Sequence, residues 1–219
     1  MTGNKPLRVV VLASGSGTNL QAIIDQVGAA DLPIDIVAVL SDRPQAFALE
    51  RATQAGIPAV AIDYQQCENR ADYDVRLDAA LADANPELIV LAGYMRILPV
   101  NTVNRYLGRM LNIHPSLLPA YPGLNTYRRV LDAGDSWHGT TVHFVTPELD
   151  SGPAILQYRV RVRANETEPQ LQARVQQGEY KIYPLAIGWF AAGRIRFQAG
   201  QSLMDGEMLK EPVVMDEPC

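Results

Sequence analysis

The chain has 219 residues, 47% apolar and 20% charged, with a formal net charge of −5, which suits one sizeable α/β domain and argues against a nucleic-acid-binding surface. Cys67 and Cys219 stand far apart with no CxxC or Cys/His cluster, so neither a disulfide framework nor a zinc site is favoured and no metal is expected. No apolar run approaches the roughly eighteen residues of a membrane span and the N-terminal one is too short for a signal segment, so a soluble, cytoplasmic protein without a membrane partner is expected.

In the first half, strands and helices alternate. Leu7 to Ala13 is a continuous run rich in β-branched residues, which suits a parallel strand buried on both faces. The loop SGSGTN follows, then a helix from about Asn19 to Val27 with Leu20, Ile23 and Ile24 as apolar positions. Ile34 to Leu40 reads as a second strand, leading to Ser41-Asp42-Arg43-Pro44, a fair helix start. Gly56 ends that helix, and IPAVAID begins a third strand. Residues 71–84 place Tyr73, Leu77, Ala80, Leu81 and Ala84 on one helical face. ELIVLAGY, ending at Tyr94, and Met110 to Ile113 are further apolar strands.

After Gly139 the pattern changes. TTVHFVT and AILQYRVRV alternate in polarity with no helix-length segment between them, and read as antiparallel strands. A long helix from about Pro169 to Ala192 carries Leu171, Val175, Ile182, Leu185 and Trp189 at helical spacing. The polar, proline-marked tail from Gln198 is expected to be loosely attached. The fold class is therefore α/β: a doubly wound, mostly parallel, Rossmann-like sheet with an antiparallel C-terminal portion and a long C-terminal helix.

Four segments can carry chemistry. VVLASGSGTNLQAII is a strand, a glycine loop and a helix, an arrangement that points backbone N–H groups at an anion. It lacks the Lys of a Walker loop, and Leu20 stands where a dinucleotide fingerprint has its third glycine. It reads either as a cradle for one phosphate, held by Gly17, Thr18 and Asn19, or as a tight turn with Asn19 as a cap. Asn112 and His114 point to the same side of an extended segment at the carboxyl end of a strand, where open α/β sheets bind ligands. An amide and an imidazolium so placed can hold a carbonyl oxygen as it gains negative charge. Asp150, in TPELDSGP, is either a turn residue or a carboxylate that favours the charged form of His114. His138 and His143 have no such partner in the sequence and are read as structural. GYMRILP offers Met95, Ile97 and Leu98 either as an apolar lining for a flat heterocycle or simply as core.

Together these segments resemble the glycinamide ribonucleotide formyltransferases, the folate-dependent enzymes of purine synthesis. The resemblance runs from about Leu7 to Arg196 and rests on LASGSGTNLQAI, LAGYMRIL, LNIHPSLLPAYPGL, GTTVHFVTPELDSGP and VQQGEYKIYPL, in the family's order and spacing. It implies a single formyltransferase domain over 1–219: a phosphate-binding half of about 7–110, a catalytic and folate-binding half of about 111–196, and a tail of 198–219. By the same resemblance Gly17, Thr18 and Asn19 hold the substrate phosphate, and Gln176 and Glu179 bind the same substrate. Met95, Arg96, Ile97 and Leu98 surround the folate ring with Asn112 and the loop Thr146, Pro147, Glu148, Leu149 and Asp150, while Arg70 meets the folate's glutamate tail. Asn112, His114 and Asp150 form the catalytic group.

The implied reaction moves the formyl group of 10-formyltetrahydrofolate, the co-substrate, to the amine of glycinamide ribonucleotide, without a covalent nucleophile or a metal. A monomer or weak homodimer is implied. One departure stands out: the family's bacterial members are expected to have histidines after PGL, whereas this chain has Asn125 and Tyr127. Three other readings compete. Methionyl-tRNA formyltransferase would need a C-terminal RNA-binding domain, formyltetrahydrofolate hydrolase would need an N-terminal regulatory domain, and a non-catalytic nucleotide-binding module would leave Asn112, His114 and Asp150 idle.

Overall fold

The structure is a computed structural model that describes residues 5–29 and 32–218; Cys219 lies outside them. The chain divides into two compact units, Met1–Leu111 and Asn112–Cys219.

In the first unit, strands β1 (Leu7–Leu12), β2 (Ile34–Ser41), β3 (Ala59–Ala61) and β4 (Leu88–Leu91) lie in the order β4-β1-β2-β3. All three pairings are parallel. Strand β1 is central because its residues pack on both faces: Val9, Val10, Val11 and Leu12 are fully buried, which suits a parallel strand covered by helices. The connections are helices α1 (Thr18–Gly28), α2 (Phe47–Gln54) and α3 (Arg70–Ala84), with the short α4 (Val100–Arg105) after β4. Helix α1 starts at Thr18, one residue before the expected Asn19, and α2 starts at Phe47 rather than at the Ser41–Pro44 segment. On α3, Tyr73, Leu77 and Leu81 are buried, as the helical spacing requires. Asn69 caps that helix by accepting the Asp72 N–H at 3.0 Å.

Strand β5 (Met110–His114) straddles the division between the units. In the second unit, α5 (Thr126–Ala133) precedes β6 (Trp137–Phe144) and β7 (Ala154–Arg161), which pair antiparallel as their alternation indicates. Helix α6 (Glu168–Ala191) packs on both strands. Its N-terminus carries a capping pair, in which Gln170 Oε1 accepts the Thr167 N–H at 2.9 Å. Leu171, Val175 and Ile182 are buried as expected, but Leu185 is exposed, and the buried stripe runs instead through Gly178, Glu179, Tyr183, Ala186 and Ile187. A Cβ on Gly178 would collide with the Tyr158 ring of β7, so a glycine is what allows α6 to lie this close to the sheet.

The tail is not loosely attached. Strands β8 (Ile195–Gln198), β9 (Gln201–Met204) and β10 (Glu207–Met208) form a small antiparallel sheet. Its Phe197 ring meets Phe144 at a centroid distance of 5.6 Å. Strand β11 (Val213–Asp216) then pairs parallel with β7. Arg159 holds Asp216 with two hydrogen bonds of 2.7 and 3.1 Å, and Arg174 binds both Glu166 and Glu217. Polar composition suggested fraying; matching arginines on β7 and α6 order the segment instead.

Candidate active site

In the first unit, two loops at the ends of neighbouring strands carry the expected ligand-binding residues. The glycine loop turns into α1 at Gly17, whose φ of 69° is left-handed. A Cβ there would stand 2.7 Å from Cα of Ala48, so only glycine fits. Helix α1 has no side-chain cap and no acidic residue in its first turn, so its N-terminal N–H groups are not neutralised by the chain itself. The cap is Gly17, which removes the reading of Asn19 as a capping residue. Thr18 and Asn19 occupy the first helical positions. Arg51 fastens the loop by donating to the Ser16 carbonyl at 2.8 Å.

The second loop is GYMRILP. Ser14 joins it to the first: its N–H donates to Gly93 O at 3.1 Å, and its hydroxyl accepts the Met95 N–H at 2.9 Å. The same hydroxyl donates to the buried Asp42 at 2.5 Å, and Asp42 takes Arg96 at 2.8 Å. The Arg96 guanidinium lies 3.4 Å over the Tyr64 ring. Its side chain is thereby committed inside the unit. Met95 and Ile97 are exposed and Leu98 is buried, so two of the three expected lining side chains face outward. Arg70 donates to the Ile97 carbonyl and to Asp74, which places it beside this loop.

In the second unit, β5 ends in Asn112 and His114. His114 Nε2 donates to the Tyr121 carbonyl at 3.1 Å, and Nδ1 stands 3.5 Å from Oδ2 of Asp150, with both side chains almost fully buried. Asp150 reaches this position through a left-handed backbone, φ 51°, a conformation Asp tolerates better than most residues. Its Oδ2 also accepts the Gly123 N–H at 2.9 Å. The Leu-Asp-x-Gly order has a physical reason: a Cβ on Gly152 would collide with the Phe144 carbonyl, so the loop after Asp150 closes onto β6 only through glycine. Thr146, Pro147, Glu148 and Leu149 form the outer part of that loop, with Ser151 Oγ bonded to Glu148 O at 2.9 Å and Leu149 exposed.

His143, which the sequence left without a partner, makes a contact that bears on the site. Its Nε2 lies 3.1 Å from the Asn112 amide nitrogen and its Nδ1 is 2.9 Å from the Phe144 carbonyl. Burial holds the ring well below its ordinary pKa, at about 4. It is therefore neutral near pH 7, with Nδ1–H donating to the carbonyl and Nε2 accepting from Asn112. That fixes the amide with its oxygen and remaining N–H turned away from His143. No sequence signal gives this pairing, because β5 and β6 are joined only by the register of the sheet.

His138 is buried between the Tyr127 and Tyr121 rings, with centroids at 5.3 and 6.3 Å, and its pKa falls to about 4 through desolvation first and the proximity of His114 second. Tyr127 carries a phenol pushed upward by burial and by the nearby Glu179 carboxylate. Gln176 and Glu179 follow one another by three residues on α6, with Glu179 buried. Among the described residues, no group of three His, Cys, Asp or Glu side chains is gathered as for a metal, and no helix is long and apolar enough to cross a membrane.

The strand-end Asn112 and His114 and the loop Asp150 thus stand on a mostly parallel α/β scaffold with an antiparallel portion. The family model for formyl transferases matches residues 7–187. The phosphoribosylglycinamide formyltransferase of Escherichia coli (strain K12) is 49% identical over 203 residues, covering 93% of this chain and 96% of the relative. That of Haemophilus influenzae is 45% identical, covering 92% and 95% of the two chains. The solved phosphoribosylglycinamide formyltransferase of Coxiella burnetii, in complex with CHES, superposes with a TM-score of 0.91 at 47% identity and covers 95% of this chain and 99% of its own. The chain belongs to the formyl transferase family.

Proposed function

We propose that this chain transfers the formyl group of 10-formyltetrahydrofolate to the glycine amine of glycinamide ribonucleotide, a step of purine synthesis. The observation that supports the reading is the pairing of His114 with Asp150 at the end of the strand that carries Asn112, in a chain that matches its bacterial relatives over nearly their whole length.

By this reading each of the two units has its own set of ligand-contacting residues. The first contributes Gly17, Thr18 and Asn19 for the substrate phosphate, and Arg70 with Met95 to Leu98 for the folate. The second contributes the catalytic group, Gln176 and Glu179 for the ribonucleotide, and Thr146 to Asp150 for the folate ring. The exposed Met95 and Ile97 suit an apolar heterocycle.

The amine nitrogen attacks the formyl carbon, and the C=O electron pair moves onto oxygen. Asn112 Nδ2 and the protonated imidazole of His114 stabilise that oxyanion. The bond from carbon to the folate nitrogen then breaks, the departing nitrogen gains a proton through His114, and the attacking amine loses one. Asp150 keeps the imidazole oriented. Such acid–base assistance typically contributes about 10²–10⁴-fold. The substrates are small molecules, the setting is cytoplasmic and the protein works as a monomer or weak homodimer.

The test is an assay with 10-formyltetrahydrofolate, with and without glycinamide ribonucleotide. Turnover that requires the ribonucleotide supports the transferase. Turnover with water alone would replace it with a formyltetrahydrofolate hydrolase.

A further inference from the structure

We infer that Arg129, on α5, is a positioning residue for the His114–Asp150 pair. This deepens the formyl-transfer reading and rests on it for its kinetic test only.

The inference starts from the backbone of residues 121–125. Tyr121, Gly123 and Asn125 have φ of 54°, 78° and 58°, three left-handed residues at alternate positions, two of them carrying a Cβ. L-residues adopt that conformation at a cost, so the stretch needs an external hold. Its functional groups sit at those positions: the Tyr121 carbonyl accepts from His114 Nε2 at 3.1 Å, and the Gly123 N–H donates to Asp150 at 2.9 Å.

Arg129 binds the positions in between. Its Nη1 donates to the Pro122 carbonyl at 2.6 Å and lies 3.4 Å from the Leu124 carbonyl, while its guanidinium carbon stands 5.2 Å from the centroid of the Tyr121 ring. Charge-assisted bonds to two alternate carbonyls fix the peptide units between them, and those units carry the groups that hold His114 and Asp150. The Tyr121 hydroxyl adds a second anchor by donating to Asp135 at 2.5 Å. Arg129 needs no contact with either substrate to act this way.

The test compares the full-length wild type with Arg129→Ala and Arg129→Lys. In imidazole 15N–1H spectra of the ligand-free protein, the His114 Nε2 proton is expected in the wild type and in Arg129→Lys, and lost to exchange in Arg129→Ala. In formyl transfer, kcat of Arg129→Ala falls about 10- to 100-fold with KM for both substrates within about twofold, and Arg129→Lys recovers most of it. Arg129→Gln carries the same readouts if the alanine variant does not fold. A wild-type His114 spectrum with unchanged kcat in Arg129→Ala would overturn the assignment, as would a rise in KM alone. If the wild type transfers no formyl group, the proposed function fails and the spectra alone decide this inference.

Discussion

Asp150 Oδ2 faces His114 Nδ1 at 3.5 Å while the Tyr121 carbonyl faces Nε2 at 3.1 Å. Both ring nitrogens of His114 thus look at oxygen acceptors. Asp150→Asn keeps an oxygen for Gly123 and removes the charge. It is expected to lower kcat about 10²-fold or more with a melting temperature close to wild type, measured by steady-state kinetics and thermal denaturation. A kcat near wild type would remove Asp150 from the catalytic group.

The Asn112–His143 hydrogen bond leads to a second expectation. His143→Ala leaves the amide free to rotate, and kcat falls about tenfold, a smaller loss than removal of an oxyanion donor itself, roughly 10²–10³-fold. In a double-mutant cycle with Asn112→Ala the two losses are strongly non-additive, because His143 acts through Asn112. Additive losses would show that His143 acts elsewhere.

Stability is expected to fall in mild acid. His138 and His143 titrate near 4 in the folded chain against an unfolded value of 6.5. Between those values the unfolded chain binds more protons, so stability is full above about pH 6.5 and declines as pH drops toward 4. At pH 5 the loss is roughly 2 kcal/mol for each ring relative to pH 7. Urea melts at the two pH values measure it, and His143→Gln should remove its share. Equal midpoints at pH 7 and 5 would contradict the burial of neutral rings.

Gly17→Ala tests the phosphate loop. The added Cβ meets Ala48 at 2.7–2.8 Å in a left-handed backbone, so the loop must open. KM for the ribonucleotide is expected to rise about tenfold or more while KM for the folate changes little. An unchanged KM for the ribonucleotide would place the phosphate elsewhere.

Removing residues 213–219 deletes β11 and leaves Arg159 without Asp216 and Arg174 without Glu217. The melting temperature should drop by about 5 °C or more. Asp216→Ala alone should cost little, because its exposed ion pair is screened by solvent. A truncated chain that melts like the full one would mean that β11 contributes nothing to the second unit.

Much of this was legible in the sequence. Val9 to Leu12 and Leu88 to Leu91 read as buried parallel strands because both faces are apolar. Asn112 and His114 stood out because polar side chains end an apolar strand. Other features depend on pairings between distant segments. Gly178 seats α6 against Tyr158, a contact with a distant strand that the helix sequence alone does not reveal. Asn112 finds His143 through sheet register. Polar residues after Gln198 resembled a frayed end until Arg159 and Arg174 supplied their partners.

Asn112, His114 and Asp150 are proposed to carry a formyl group from folate to an amine. The most direct measurement follows 13C-labelled formyl from 10-formyltetrahydrofolate by NMR, using wild type and His114→Ala with glycinamide ribonucleotide present. Label is expected in the formyl amide of the ribonucleotide with wild type, and a rate lower by about 10²-fold or more with His114→Ala. Label released as free formate, or transfer at wild-type rate by His114→Ala, would contradict it.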